Sequence, residues 1–275
     1  MSPYRGIDHV VIRLQSVEAL HALFAQTFGL PVSWPLQHSP FASFGWVNVG
    51  NTNLEFWAAA QNDDLPQDAQ PPLVHGFALD PGDLGASVAL LAARGIACKT
   101  PKPFRTQTSE GAWVTNFTNA VVLDVSSDAC CVFFCEWDAE GTIYPWKEKL
   151  DAAQRNARDK AAFDACGGGP LGIVGVREVR LAVPDVDEAG KAWRALTGSD
   201  GADAIALTPD VSLRLLPRGT RGSSIETLTF GVRSLPVAKA FLAPRQLLEA
   251  SPDGELRLSR AACDGLDLRL VEAGA

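Results

Sequence analysis

The order strand, helix, short strands occurs four times in succession along this chain, and that repetition limits the fold more than any other feature. In the first copy, residues 7–14 alternate, with Asp8, Val10, Ile12 and Leu14 on one face and His9, Val11 and Arg13 on the other. Ser16 fits a helix N-cap, Val17, Leu20, Phe24 and Phe28 recur at helical spacing, and Gly29 ends the run. Strands at 46–49 and 53–57 follow around a Gly50-Asn51 turn. The second copy has a strand at 75–79, a cap at Asp83, a helix face of Leu84, Val88 and Leu91, and strands near 112–116, 121–125 and 130–137. The third starts at 176–183, with Asp185 capping a helix through Trp193 and Leu196, and ends on a strand at 211–216. The fourth runs from 226–232 through a helix from Leu235, interrupted by Pro244, to strands at 255–258 and 266–271. A period of about 50 residues repeated in this way marks an α+β fold of four βαβββ modules.

Between copies two and three, Trp146, Leu150, Ala153, Ala157 and Ala161 form a thin apolar stripe on an otherwise charged helix. The charged face reads as solvated, and the stripe as a possible support for a homodimer contact. Gly167, Gly168 and Gly169 then read as a flexible boundary. The expected organisation is an N-terminal domain at 1–140 (modules 4–60 and 72–138), a helical linker at 141–170 and a C-terminal domain at 171–275.

With 275 residues, 47% of them hydrophobic, the chain buries enough surface for two domains. A net charge of −8 argues against nucleic acid, which needs clustered Lys and Arg, and leaves a small-molecule ligand as the expected partner. The first residues lead into a strand with no signal peptide, and no apolar run approaches the roughly 18 residues of a membrane span. A cytoplasmic protein with no membrane partner is expected. The six cysteines contain no C-x-x-C pair, so they read as free thiols in a reducing compartment.

Four residues carry chemistry. His9 lies in the first strand of module one and Glu55 in its last; His75 opens module two and Glu136 closes it. If the two modules face each other, two imidazoles and two carboxylates meet in the arrangement an octahedral metal requires. Glu55 and Glu136 each lie between large apolar residues, where an unpaired carboxylate costs several kcal/mol, so both need compensation. Such mixed N/O ligation suits a divalent Zn, Ni, Co, Mn or Fe(II) ion. Trp57, Phe77 and Phe134 share faces with these residues and fit either an apolar pocket or core packing. Arg13, on the face of His9, fits either a substrate contact or a strand-end charge reaching water. His21 reads as a surface residue, and His38 lies in a loop that could border the cavity. Residues 105–111 read as an extra loop, either a substrate lid or a tolerated insertion.

The repeated module, with best local matches at Gly6-Ile7-Asp8-His9-Val10-Val11 and at Val74-His75-Gly76-Phe77-Ala78 followed by Ala92-Ala93-Arg94-Gly95-Ile96, resembles the vicinal oxygen chelate superfamily over nearly the whole chain. That group includes glyoxalase I, extradiol dioxygenases and bleomycin-resistance proteins. The resemblance implies modules paired into two cupped mixed-sheet domains, with His9, Glu55, His75 and Glu136 on the metal-ligand positions. It further implies a glyoxalase-like lyase or isomerase, with Glu136 as the base that removes a proton beside a carbonyl, Glu55 as its counterpart and Arg13 as a substrate contact. Glyoxalase I uses glutathione at that last position. Fe(II) extradiol-type oxygenation, or binding without catalysis, remains as an alternative. In the second pair the ligand positions become Glu178, Arg214 and Leu228 or a neighbour, and nothing after Asp267 forms a convincing fourth ligand. That half is expected to lack metal and to be a structural half or a dimerisation surface, with a Glu178–Arg214 ion pair as one substitute for the cation.

Overall fold

The computed structural model describes residues 2–108, 110–138, 150–199, 204–218 and 222–274. Trp146 and the first part of the expected linker lie outside the described residues, as does Ser109 of the expected extra loop. Module one comprises β1 (Gly6–Arg13), α1 (Glu18–Ala22), β2 (Val32–His38), β3 (Ala42–Asn48) and β4 (Asn53–Ala59). Module two comprises β5 (Leu73–Asp80), α2 (Leu84–Ala93), β6 (Lys102–Gln107), β7 (Trp113–Val121) and β8 (Cys131–Trp137). After α3 (Ala152–Cys166), module three has β9 (Ile173–Val183), α4 (Val186–Thr197), β10 (Ile205–Thr208) and β11 (Val211–Pro217). Module four has β12 (Ser224–Val232), α5 (Leu235–Leu242), β13 (Leu248–Glu249), β14 (Glu255–Leu258) and β15 (Leu268–Glu272). Among the described residues, module three is one strand short of the repeat.

Within each module the first and last strands pair in parallel, β1 with β4, β5 with β8, β9 with β11 and β12 with β15. Modules then pair through their first strands, β1 against β5 and β9 against β12, both antiparallel. The first two modules therefore close on each other within one chain. Their sheet runs β2-β3-β4-β1-β5-β8-β7-β6, so the strands carrying the candidate residues lie at its centre. The two halves touch edge to edge at Ile225 and Val74 and share one apolar core. Phe24 packs on Phe230 and Phe77 on Trp193, each with ring centroids 5.8 Å apart.

Local signals explain the helices. Asp83 accepts from the Ala86 amide at 2.8 Å, and Asp185 and Ser234 cap α4 and α5 in the same way. The first helix starts after Val17, not Ser16, and widens into a π-turn over Leu23–Thr27, while Leu20, Phe24 and Phe28 still form its buried face. Residues 105–107 of the expected extra loop are instead part of β6, paired with Trp113–Thr115 of β7.

Helix α3 reverses the expected face. Ala153, Ala157 and Ala161 are exposed, and Arg155, Asp159 and Phe163, four residues apart, are buried instead. A charge is buried when its partner is buried with it, and Arg155 has such a partner in Asp8. The glycine run is likewise no flexible spacer. A Cβ at Gly169 would lie 1.9 Å from the Phe28 carbonyl oxygen, so the turn packs directly on module one and only glycine fits. All six cysteines are free thiols. Among the described residues, no helix is long and apolar enough to cross a membrane.

Candidate functional site

The alternation of β1 sends Val10, Ile12 and Leu14 into the core and His9, Val11 and Arg13 into the hollow of the first cup. That hollow is a cavity of about 260 Å³ whose wall includes Trp46, Trp57, Phe117, Phe133 and Trp137. Its polar groups include His9, Glu55, Arg13, His75 and Asn119.

His9 is the centre of the site. Its ring centroid lies 4.4 Å from that of Trp46 with the planes tilted by 37°, and Phe133 meets it edge-on at 5.8 Å. Nδ1 lies 2.7 Å from Asp8 Oδ1, and Nε2 lies 3.4 Å from Glu55 Oε2. Asp8 reaches this position because the β1–β5 register shifts between Ile7 and His9. Arg155 donates to the other Asp8 oxygen at 2.8 Å, and Trp137 Nε1 donates at 3.2 Å. The Arg155 guanidinium also stacks 4.6 Å over the Trp137 ring.

Burial would raise the Asp8 pKa, but the charge of Arg155 and the hydrogen bonds from His9 and Trp137 outweigh it. The carboxyl is held well below the usual carboxylate range and stays ionised. An ionised carboxylate only accepts, so the His9 Nδ1 carries a hydrogen and Nε2 faces Glu55. Glu55 is shifted the other way. Burial raises its pKa, and the charge of His9 with a hydrogen bond from Trp46 offsets this only in part. Glu55 and His9 Nε2 thus face each other at 3.4 Å beside the aromatic cavity.

Arg13 enters the same cavity but is already engaged. Nη1 and Nη2 make a two-pronged contact with Asp64, each bond 2.9 Å, and Nη2 also donates to Asn62 at 2.8 Å. It is buried and does not reach out to water. Nε points to no partner among the described residues. His75 lines the cavity nearby, its Nε2 within 3.2 Å of the Asp128 carbonyl oxygen. Burial and the neighbouring Arg13 charge lower its pKa.

Two expected pocket residues and one expected ligand are elsewhere. Glu136 turns to the opposite face of β8, where its Oε1 accepts from the Leu84 amide at the start of α2, at 2.8 Å. The cavity face of β8 is Cys131, Phe133, Cys135 and Trp137, so Phe134 also goes into the core. Displacement by one residue exchanges the two faces of a strand. Phe77 is core as well, because the β1–β5 register breaks between Gly76 and Val74 and alternation fails there. Gly76 has φ +143°, and a Cβ there would lie 1.8 Å from the Cys131 carbonyl oxygen. His21 is buried, edge-on to Phe56, and not a surface residue. His38 bonds Ser43 on the exposed side and is not part of the cavity wall.

The divalent ion implied by the fold therefore does not fit the four expected donors. His9 and Glu55 meet, but Glu136 caps a helix on the far side of the sheet. Among the described residues, no three His, Cys, Asp or Glu side chains surround a point that could hold a metal. The working groups the sequence left unnoticed are Asp8, Trp46, Phe133, Trp137 and Arg155. Only Asp8, next to His9, had a visible sign, a carboxylate alternating with apolar residues.

The second cup carries charge in place of a cavity wall of rings. Arg214 and Arg180 both bind Glu178, at 3.1 and 2.5 Å, and Arg269 binds Glu255 and Asp267 at 2.6 and 2.7 Å. The expected Glu178–Arg214 pair forms, and Leu228 is core.

No family model matches the chain, and no curated protein matches it in sequence. Solved structures do match in shape. A hypothetical protein from Staphylococcus aureus superimposes with TM-score 0.63 at 10% identity, over 98% of this chain and 99% of that one. A variant of 4-hydroxymandelate synthase from Streptomyces coelicolor gives 0.62 at 9%, over 100% and 94%. A 2,3-dioxygenase from Pseudomonas sp. KL28 gives 0.59 at 13%, again over 100% and 94%. By its strand order, its four modules and these neighbours, the chain has the vicinal oxygen chelate fold.

Proposed function

We propose that the first cup binds a small conjugated carbonyl compound and moves a proton on the carbon beside its carbonyl, which is isomerase or lyase chemistry. The observation that carries this reading is Glu55, a carboxyl with 13% of its side chain exposed, set 3.4 Å from His9 Nε2 on the wall of an aromatic cavity. Burial raises the Glu55 pKa, which makes its carboxylate a stronger base than an exposed one. Glu55 takes the proton, and His9, held in one tautomer by ionised Asp8, shares it. Negative charge then grows on the carbonyl oxygen, and the positive guanidinium of Arg13 on the same cavity wall supports it. Flat rings on the walls favour a flat substrate.

The test is deuterium uptake from D2O into the α-carbon of 2-hydroxyacetophenone, followed by NMR. The wild-type protein accelerates exchange, and Glu55→Gln slows it by about 10²- to 10⁴-fold, the usual size of general-base catalysis. Equal exchange by both proteins overturns the reading.

The dioxygenase among the structural neighbours supports a second reading, oxygenation at iron in the same cup. Oxygen uptake with catechol after Fe(II) loading, lost in His9→Ala, would favour it over proton transfer. Probe binding with neither exchange nor oxygen uptake would identify a binder without catalysis.

A further inference from the structure

Among the described residues Arg13 is the one arginine on the cavity wall, and the chain has placed its own carboxylate on it. Asp64 comes from the segment between β4 and β5 and is itself 60% exposed, while the Arg13 side chain is 9% exposed. The contact is a fork on a fork, with both terminal nitrogens of the guanidinium on the two Asp64 oxygens, and Asn62 takes the remaining direction of Nη2. The segment is pinned for this purpose. Leu65 is buried, its amide bonds the Asn62 carbonyl at 3.1 Å, and Gln70 bonds the Leu65 and Pro66 carbonyls at 3.0 Å.

A ligand carboxylate needs that same fork. Nε–H has no partner but is buried from solvent, so the guanidinium presents no free donor pair to an entering anion. The other charges offer an anion nothing more, since Arg155 is matched by Asp8 and Glu55 would repel it.

We propose that Asp64 sets the charge selectivity of the cup: by occupying the terminal nitrogens of Arg13 it makes the site accept an uncharged aromatic carbonyl compound and reject a carboxylate of the same shape. This rests on the cavity being the ligand site, as the function above requires, but not on any turnover. Asp64→Asn removes the competing charge and frees the Arg13 fork, so the site becomes an anion site.

The experiment measures binding of two probes of similar size, acetophenone and benzoate, by calorimetry and by quenching of the tryptophans that line the cavity. Wild type binds acetophenone and prefers it to benzoate by about tenfold or more, the difference made by one charge-assisted contact. In Asp64→Asn, benzoate affinity rises by about tenfold or more and acetophenone affinity stays within a factor of about two. The double variant Arg13→Met, Asp64→Asn loses the benzoate gain, which assigns that gain to the Arg13 fork, and it leaves no unpaired buried charge to disturb folding. Wild-type preference for benzoate, or an unchanged preference in Asp64→Asn, overturns the selectivity proposal alone. Failure of both probes to bind any of the three proteins overturns the ligand site and this proposal together, whereas binding without deuterium exchange counts against the proton-transfer reading alone.

Discussion

Asp8 and Glu55 flank one imidazole yet respond to acid in opposite senses. Asp8 has its folded pKa depressed, so the stability it contributes is present above its unfolded value, near 4, and is lost as pH falls through the folded value. Asp8→Asn therefore costs about 3 kcal/mol at neutral pH, where it leaves Arg155 buried without its charge partner, and the deficit shrinks below about pH 4. Glu55 has its folded pKa raised, so its contribution is full below its unfolded value, near 4.3, and is lost as pH rises through the folded one. Glu55→Gln removes that loss and so raises stability at neutral pH while removing the base. Urea unfolding of both variants at pH 7 and about pH 3 checks the two signs. A base that weakens the fold it sits in is the usual relation between activity and stability.

Among the elements, β8 decides whether Glu136 takes part in chemistry. Glu136→Gln leaves deuterium exchange unchanged and lowers stability by about 0.5–1 kcal/mol, through a weaker acceptor at the α2 terminus. Gly76→Ala is far more severe, because its Cβ meets the Cys131 backbone and separates β5 from β8. A thermal melt and the yield of folded protein measure both effects. The faces of β1 and β4 were legible in sequence because each strand has a regular alternation, and His9, Glu55, Arg13 and Trp57 all reach the cavity. The faces of β8 were not. Val132 and Phe134 on one side and Cys131, Phe133 and Cys135 on the other are all apolar, so polarity could not choose between them. In β5 the break near Gly76 defeats any count of odd and even positions.

At the scale of the molecule, the repeat showed the four modules, but the contacts that join them are remote in sequence. Tyr4 donates to the Leu207 carbonyl at 2.7 Å, Arg94 to the Ala195 carbonyl at 3.0 Å, and Asn51 exchanges two 2.9 Å bonds with the Val176 backbone. With Phe77 on Trp193 and Phe24 on Phe230, the halves should unfold in one transition. Trp193→Ala, in the second half, costs about 3–5 kcal/mol and lowers the melting of both halves together. Hydrogen exchange resolved along the chain detects whether the first half outlives the second.

The Arg155–Asp8 pair also sets the smallest piece of this protein that can work. A fragment ending after β8 would keep every wall of the cavity and lose the counterion that fixes the tautomer of its histidine. Gene truncation aimed at a minimal two-module version must therefore retain α3, which behaves as the keystone of the first cup even though it lies outside both modules.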